Sequence, residues 1–207
     1  RAGVVGPDGP THHGVFDLAY LRAIPNLIIF APRNEIELRQ ILYTASLGLS
    51  LPIAIRYPRG RGNILNWKTD FKKLQIGKGV ELKRGNTIAI LSIGAIASQV
   101  TEAISNLKDE HMAAIGHYDL RFVKPLDEQL LHNIFKNYNT IITIEDGTIS
   151  GGFGSAILEF ANMHSYKATI KILGVPDSFI HHGKIEELYD RCELSSSKIK
   201  DCLLSLL

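Results

Sequence analysis

Two short stretches near the start of this 207-residue sequence carry side chains that could act on a small ligand. Residues 8–14 read Asp-Gly-Pro-Thr-His-His-Gly, which places an acid, a hydroxyl and two imidazoles on a loop before a helix. Residues 56–60 read Arg-Tyr-Pro-Arg-Gly, which places two guanidinium groups at the end of an apolar strand. Ligands of α/β proteins bind where strands end in loops. An acid, an imidazole and arginines that meet there suit a small phosphorylated substrate.

His12 and Asp8 are the candidates for proton transfer or for contact with a reacting oxygen. Imidazole titrates near neutral pH, so His12 could pass a proton or hydrogen-bond a carbonyl group. Asp8 could fix the tautomer of His12 or hold a substrate hydroxyl. The alternative is a turn-forming aspartate beside a solvated histidine. His13 adjoins the helix start, and we expect it to face solvent.

The arginines have different local settings. Arg59 follows a proline at the end of a strand, where its guanidinium could hold a phosphate through two parallel hydrogen bonds; the alternative is a surface ion pair. Arg56 lies within the strand itself, so a structural ion pair is expected. The sequence around Arg1 gives no basis for assigning it a role.

Two later stretches favour a structural interpretation. Residues 145–154 contain Glu-Asp and then Gly-Gly-Phe-Gly before a predicted helix, as in a phosphate-binding loop. They lack both the Gly-Lys-Ser/Thr and the Gly-x-Gly-x-x-Gly signatures, and close packing of a helix on a strand explains the glycines equally well. His181 and His182 have no further metal ligands nearby, which favours a turn or a domain contact.

The pattern of apolar residues predicts an α/β protein with two units that contain parallel or mixed sheets. Residues 60–79 are polar and lysine-rich, which predicts a linker, with one short strand near 75–77. The predicted strands are 2–5, 27–31, 53–57, 87–92, 113–119, 140–144 and 168–173. The predicted helices are 15–24, one capped by Asn34, 95–107, one capped by Asp127 that runs to about 138, one that ends near 163, and 196–206.

Composition narrows the class of protein. A net charge of +2 does not indicate a nucleic-acid or membrane partner, and no segment has the ~20 apolar residues that cross a bilayer. Cys192 and Cys202 have no metal-ligand spacing and are expected to be reduced thiols. The sequence has no initiating methionine and starts with an apolar run at residues 2–5 that resembles the middle of a strand. We therefore expect it to be a piece of a longer protein.

Several motifs together resemble the 1-deoxy-D-xylulose-5-phosphate synthases of the transketolase family. The resemblance covers essentially the whole chain. Asp-Gly-x-Thr-His is shared across that family, whereas Tyr-Pro-Arg-Gly together with Asp-Leu-Ala-Tyr-Leu-Arg at 17–22 points to the synthases. The motifs are found at residues 8–12, 16–22, 25–27, 56–60, 119–127, 145–147, 151–155 and 174–180.

The resemblance implies a thiamine-diphosphate- and Mg²⁺-dependent transferase. This family condenses pyruvate with D-glyceraldehyde 3-phosphate, with loss of carbon dioxide, and its product serves isoprenoid biosynthesis by the methylerythritol phosphate pathway and also thiamine biosynthesis. It further implies a homodimer in the bacterial cytoplasm or a plastid. By resemblance, Arg59 and Arg1 would bind the substrate phosphate, Asp8 would hold a hydroxyl, and His12 would contact the reacting oxygens.

The resemblance also implies a division of the chain. Residues 1–60 would be the C-terminal part of the pyrimidine-binding domain, 61–79 a linker, and 80–207 the transketolase C-terminal domain. The family's Gly-Asp-Gly segment for diphosphate and magnesium, and its activating glutamate, have no counterpart here. We therefore expect these 207 residues alone to be inactive. The alternatives are another transketolase-like enzyme, such as a 2-oxoacid dehydrogenase β subunit, and a non-catalytic dimerisation module.

Overall fold

The computed structural model describes residues 1–62 and 64–207. The strands are β1 (Ile28–Phe30), β2 (Ile53–Ile55), β3 (Val80–Lys83), β4 (Ile88–Ser92), β5 (Ile115–Asp119), β6 (Phe122–Lys124), β7 (Thr140–Thr148) and β8 (Thr169–Val175). The α-helices are α1 (Asp17–Arg22), α2 (Glu35–Ser46), α3 (Ala97–Ser105), α4 (Asp109–Ala114), α5 (Glu128–Asn137), α6 (Phe153–Met163), α7 (Ile185–Arg191) and α8 (Ser196–Leu204). Short 3₁₀ helices form at Gly6–Asp8 and Gly94–Ile96.

The larger sheet has the strand order β3-β5-β4-β7-β8. β4, β5, β7 and β8 run parallel, as the predicted strand–helix–strand pattern requires, and the edge strand β3 is antiparallel to its neighbour β5. β4 and β5 are buried along their whole length, because helices cover both faces of the sheet. This sheet places the carboxyl end of β7 against the first sixty residues.

The smaller sheet joins the two predicted units. β1 pairs in parallel with β2 on one side and antiparallel with β6 on the other, and β6 comes from the second half of the chain. The rings of Phe30 and Phe122 pack edge to face, with centroids 4.8 Å apart, in a core that β1 and β6 share. The sequence did not predict β6, which forms where it pairs with β1 from the first half of the chain.

Most predicted elements are present, and two helix caps are confirmed. The Asn34 side chain accepts a hydrogen bond from the backbone N–H of Glu37, and Asp127 accepts one from Leu130. Side-chain oxygens at these positions satisfy helix N–H groups that have no partner within the helix. None of the helices formed by the described residues is long and apolar enough to cross a membrane.

Some elements differ from the predictions. Residues 2–5 form only isolated bridges, Ala2 with Pro58 and Gly3 with Gly14, because Gly3 has a left-handed φ of +65° that interrupts a strand. The strand predicted at 75–77 is wrong, since the edge strand lies at β3 instead. Helices α4 and α7 were not predicted, since each is shorter than two and a half turns.

Candidate functional site

The loop of residues 8–14 is closed by hydrogen bonds within its own backbone. Gly9 donates to the carbonyl of Gly6 at 3.2 Å, and His12 donates to the carbonyl of Gly9 at 3.0 Å. Gly6 and Gly9 have φ values of +76° and +71°, a conformation that glycine adopts without the steric penalty of a Cβ atom. The glycines and Pro10 therefore set a compact loop that ends in two adjacent histidines.

The loop meets two arginines at the carboxylate of Asp8. Arg59 Nη1 contacts Asp8 Oδ2 directly, and Arg1 Nη1 lies 3.7 Å from the same oxygen. We call Arg1, Asp8 and Arg59 the exposed cluster, because their side chains are 45, 32 and 51% exposed. Three of the four residues to which the resemblance gives a role thus lie together, although Arg59 is about fifty residues from the other two in the chain.

The exposed cluster has two positive charges and one negative charge. One carboxylate oxygen faces two guanidinium groups, each of which has five N–H donors. Both arginine side chains are about half exposed, so an anion with several oxygens can approach their N–H groups from solvent. A phosphate group has the charge and the oxygen geometry that such paired guanidiniums bind.

His12 lies at the exposed tip of the loop. Its Nδ1 is 3.0 Å from the hydroxyl of Thr11. The prediction that Asp8 could fix the His12 tautomer is therefore not met, since the neighbouring threonine makes that contact.

His13 was expected to face solvent, and this expectation is wrong. The side chain is half-buried, and its Nδ1 accepts a hydrogen bond from the backbone N–H of Val5 at 3.0 Å. The proton then lies on Nε2, which is buried near the backbone of Ile180 and His181. Burial lowers the pKa of His13, so the neutral ring is favoured and serves to hold the loop. The sequence offered one signal for this inward orientation, namely that the two histidines are adjacent. Neighbouring side chains on a tight loop point in different directions, so one of the two would face the protein.

Arg56 forms the structural ion pair that the sequence predicted. Its Nε is 2.8 Å from Asp17 Oδ2, and its Nη1 contacts Asp146 Oδ1. We call Arg56, Asp17 and Asp146 the buried cluster, because their side chains are 3, 15 and 1% exposed. It lies between β2, α1 and the carboxyl end of β7.

The glycine-rich stretch at residues 151–154 packs a helix against a strand, as the structural interpretation predicted. A Cβ atom on Gly154 would meet Ile172 and Thr143, so only glycine allows α6 to approach the sheet this closely. The Gly154 N–H donates to Glu145 Oε1 at 2.9 Å. The protein's own carboxyl group therefore takes the position at the helix N-terminus that a phosphate would need.

Burial raises the pKa of Glu145 to about 7, against opposing hydrogen bonds from Gly154 and Phe153. Arg56 also opposes the shift, whereas Asp146 contributes to it. The neutral acid is favoured below neutral pH, because burial penalises the ionised carboxylate.

A cavity of about 690 Å³ lies on the other side of Arg59. It is bounded by the start of α2, residues 57–62 and α3, and Arg33 and Arg61 also line it. Asp8 and His12 do not line it. Arg59 is the residue that the cavity and the exposed cluster share.

The described residues include no group of three or more His, Cys, Asp or Glu side chains that could hold a metal ion. This part of the chain therefore does not fit the diphosphate–magnesium portion of the cofactor that the resemblance implies. Its arginines fit an anionic substrate instead.

Family models match most of this chain. The transketolase pyrimidine binding domain matches residues 1–63, and the transketolase C-terminal domain matches residues 77–199. The chain belongs to the transketolase family, through parts of two of its domains. These matches confirm the fold class predicted from the sequence.

Curated relatives point to one branch of that family. A 1-deoxy-D-xylulose-5-phosphate synthase of Bacteroides thetaiotaomicron is 52% identical over 204 residues, which are 99% of this chain and 32% of that protein. A synthase of the same name from Parabacteroides distasonis is 53% identical over 199 residues, 96% of this chain and 31% of that protein. These relatives confirm the resemblance seen in the motifs. The chain spans about a third of their length.

Solved structures share the fold. A structure described as a split gene transketolase, inactive beta4 tetramer, has a TM-score of 0.79 at 24% identity, over 96% of this chain and 62% of that one. The transketolase of Campylobacter jejuni has a TM-score of 0.67 at 21% identity, over 97% of this chain and 29% of that one. At these identities the likeness shows the fold alone.

Proposed function

We propose that this chain is the acceptor-side and C-terminal part of a 1-deoxy-D-xylulose-5-phosphate synthase, which condenses pyruvate with D-glyceraldehyde 3-phosphate and releases carbon dioxide. The observation that carries the proposal is the exposed cluster. Two half-exposed guanidinium groups contact one carboxylate, on a loop that also carries His12 and whose motif resembles the synthases. The relatives with this name match nearly the whole chain.

In this proposal the chain's own residues bind and orient the aldehyde substrate. Arg59 and Arg1 bind the phosphate group by donating hydrogen bonds from their guanidinium N–H groups to its oxygens. Asp8, which neutralises part of their charge, takes a hydroxyl of the triose. His12, at the loop tip, hydrogen-bonds the reacting oxygens. The residues act by holding the substrate in one orientation, which can account for a large part of an enzyme's rate.

Thiamine diphosphate supplies the carbon–carbon bond chemistry in this family. We propose that it and Mg²⁺ are held by polypeptide that accompanies this chain, because the described residues contain no group that could bind the metal. We further propose a division at residues 1–60, 61–79 and 80–207, a homodimer, and the bacterial cytoplasm as the location. The bacterial origin of the relatives supports the last of these.

The test joins this chain to the part that its relatives have and it lacks. The chain replaces the matched segment of the Bacteroides thetaiotaomicron synthase, and product is measured with pyruvate, D-glyceraldehyde 3-phosphate, thiamine diphosphate and Mg²⁺. We expect the joined protein to form 1-deoxy-D-xylulose 5-phosphate, and the 207-residue chain alone to form none. Turnover by the chain alone would contradict the need for accompanying polypeptide.

The phosphate provides the internal control. The joined protein is assayed with D-glyceraldehyde 3-phosphate and with D-glyceraldehyde, before and after Arg59→Ala. We expect the parent to prefer the phosphorylated aldehyde and the variant to lose most of that preference, since the charge-assisted bonds to phosphate are gone. Equal use of both aldehydes by a folded parent protein would overturn the proposed substrate.

A further inference from the structure

The base of the loop of residues 8–14 is attached to the second half of the chain. Gly14 forms a two-hydrogen-bond bridge with Gly3, at 2.9 Å each way. The next residue, Val15, accepts a hydrogen bond at 2.7 Å from the N–H of Thr148 at the end of β7. A Cβ atom on Gly14 would overlap the carbonyl of Arg1, so the backbone segments lie in direct contact. The loop therefore starts from a fixed base.

Arg56 connects this base to two carboxylates. Its Nη2 donates to the carbonyl of Gly14 at 3.0 Å, while Nε donates to both oxygens of Asp17 at 3.0 and 2.8 Å. Nη1 bonds to Asp146 Oδ1. Burial alone would lower the pKa of Arg56, but Asp146 and Asp17 outweigh it and raise the pKa. The charge is therefore permanent, and the planar group is held on three sides.

The backbone around Arg56 is also hydrogen-bonded close to the two arginines of the exposed cluster. The backbone N–H of Arg56 donates to the carbonyl of Phe30 at 2.8 Å, which extends the pairing of β1 and β2 by one residue. The carbonyl of Tyr57 accepts from Ala2 at 2.8 Å, so Arg1 is fixed nearby. Arg59 follows three residues after Arg56 on this restrained segment. Movement of Arg56 would shift both arginines of the exposed cluster relative to Asp8.

We propose that Arg56 is a positioning residue for the aldehyde substrate, and that Asp146 on β7 sets its orientation. In this way the C-terminal half controls the geometry of the exposed cluster without touching the substrate. The inference rests on the proposed function. Lysine cannot replace arginine here, because one ammonium group lacks the planar set of donors that reaches Gly14, Asp17 and Asp146 together.

Arg56→Lys is the test, with Arg22→Lys as the matched control. Arg22 also links the two halves of the chain, since it bonds to the carbonyls of Gly151 and Gly152 and to Glu159. It makes none of these bonds to the loop of residues 8–14. Both variants lose one buried or partly buried link, but only the first loses contact with Gly14.

In the joined enzyme described above, we expect Arg56→Lys to raise the KM for D-glyceraldehyde 3-phosphate about tenfold or more, since small displacements of binding groups have large effects. The KM of Arg56→Lys for pyruvate should stay within about twofold of the parent value. In Arg22→Lys, the KM values for both substrates should stay within about twofold. A general loss of folded protein would lower kcat and would not change the two KM values differently. Equal effects of the two variants on both KM values would overturn the proposal.

A second measurement separates this inference from the proposed function. Amide hydrogen exchange of residues 8–15, and titration with inorganic phosphate, are followed in the 207-residue chain without any turnover. Arg56→Lys should speed exchange in this loop and weaken phosphate binding, and Arg22→Lys should do neither.

If Arg56→Lys does not fold, Asp17→Asn is tested in its place, since it keeps Arg56 and Asp146 in place. Unchanged loop exchange in the folded variant would contradict the positioning role even if the joined enzyme is active.

Discussion

The exposed and buried clusters are made from the same side chains but differ in charge and environment. The exposed cluster has two arginines and one aspartate, whereas the buried cluster has one arginine and two aspartates. In water an excess of positive charge costs little and leaves donors free for a ligand. In the interior, each charge must be paired and hydrogen-bonded, so the buried guanidinium uses its donors on protein atoms. Exposure, rather than residue type, separates the binding cluster from the structural one.

The largest expected difference between the clusters is in stability. Asp146→Ala should lower the free energy of unfolding by about 3–5 kcal/mol, because it removes a buried partner of Arg56. Asp8→Ala is the matched change in the exposed cluster and should alter it by less than about 1 kcal/mol. Urea denaturation of both variants measures the difference. Similar values for the two aspartates would mean that burial does not distinguish the clusters.

A smaller effect on the free energy of unfolding is expected from Glu145, the neighbour of Asp146 on β7. Since burial raises its pKa from the usual 4.5 to about 7, the folded state binds a proton that the unfolded state releases between these pH values. The Glu145 contribution to stability is therefore largest below pH 4.5 and declines as pH rises towards 7, by roughly 3 kcal/mol in all.

Glu145→Gln should remove this decline, so that the variant gains stability relative to the parent as pH rises from 4.5 to 7. His117 is a useful reference, because burial lowers its pKa to about 4 and gives the opposite slope up to its usual pKa of 6.5. Unfolding free energies at several pH values test this. A constant difference between variant and parent across the range would exclude a buried neutral Glu145.

The smallest stability effect is expected at Arg59, where the change appears in binding. Arg59→Ala should leave the free energy of unfolding within about 1 kcal/mol of the parent, since the side chain is half exposed. Binding of inorganic phosphate should weaken about tenfold, and the parent's own affinity should fall as salt rises. Calorimetric titration at low and high ionic strength measures both. Phosphate binding that is insensitive to Arg59 and to salt would place the anion elsewhere.

The sequence predicted the α/β class, most of the strands and helices, and the caps at Asn34 and Asp127, because these follow from local periodicity and local hydrogen bonds. It did not predict β6 or its pairing with β1, which depends on contacts between distant segments. The strand predicted at residues 2–5 failed because a left-handed glycine interrupts it. Short elements that are stabilised by tertiary contacts leave little pattern in the sequence.

The same division holds for the site. The sequence by itself determined which side chains were available for chemistry, namely Asp8, His12 and the arginines, since charge and hydrogen-bonding capacity belong to residue type. Only the tertiary structure decided that Asp8 meets Arg59 and Arg1, that His13 turns inward, and that Arg56 is buried against Asp146. The physical reason is that desolvation and ion pairing depend on distance and burial, and the chain folds residues 90 positions apart into contact.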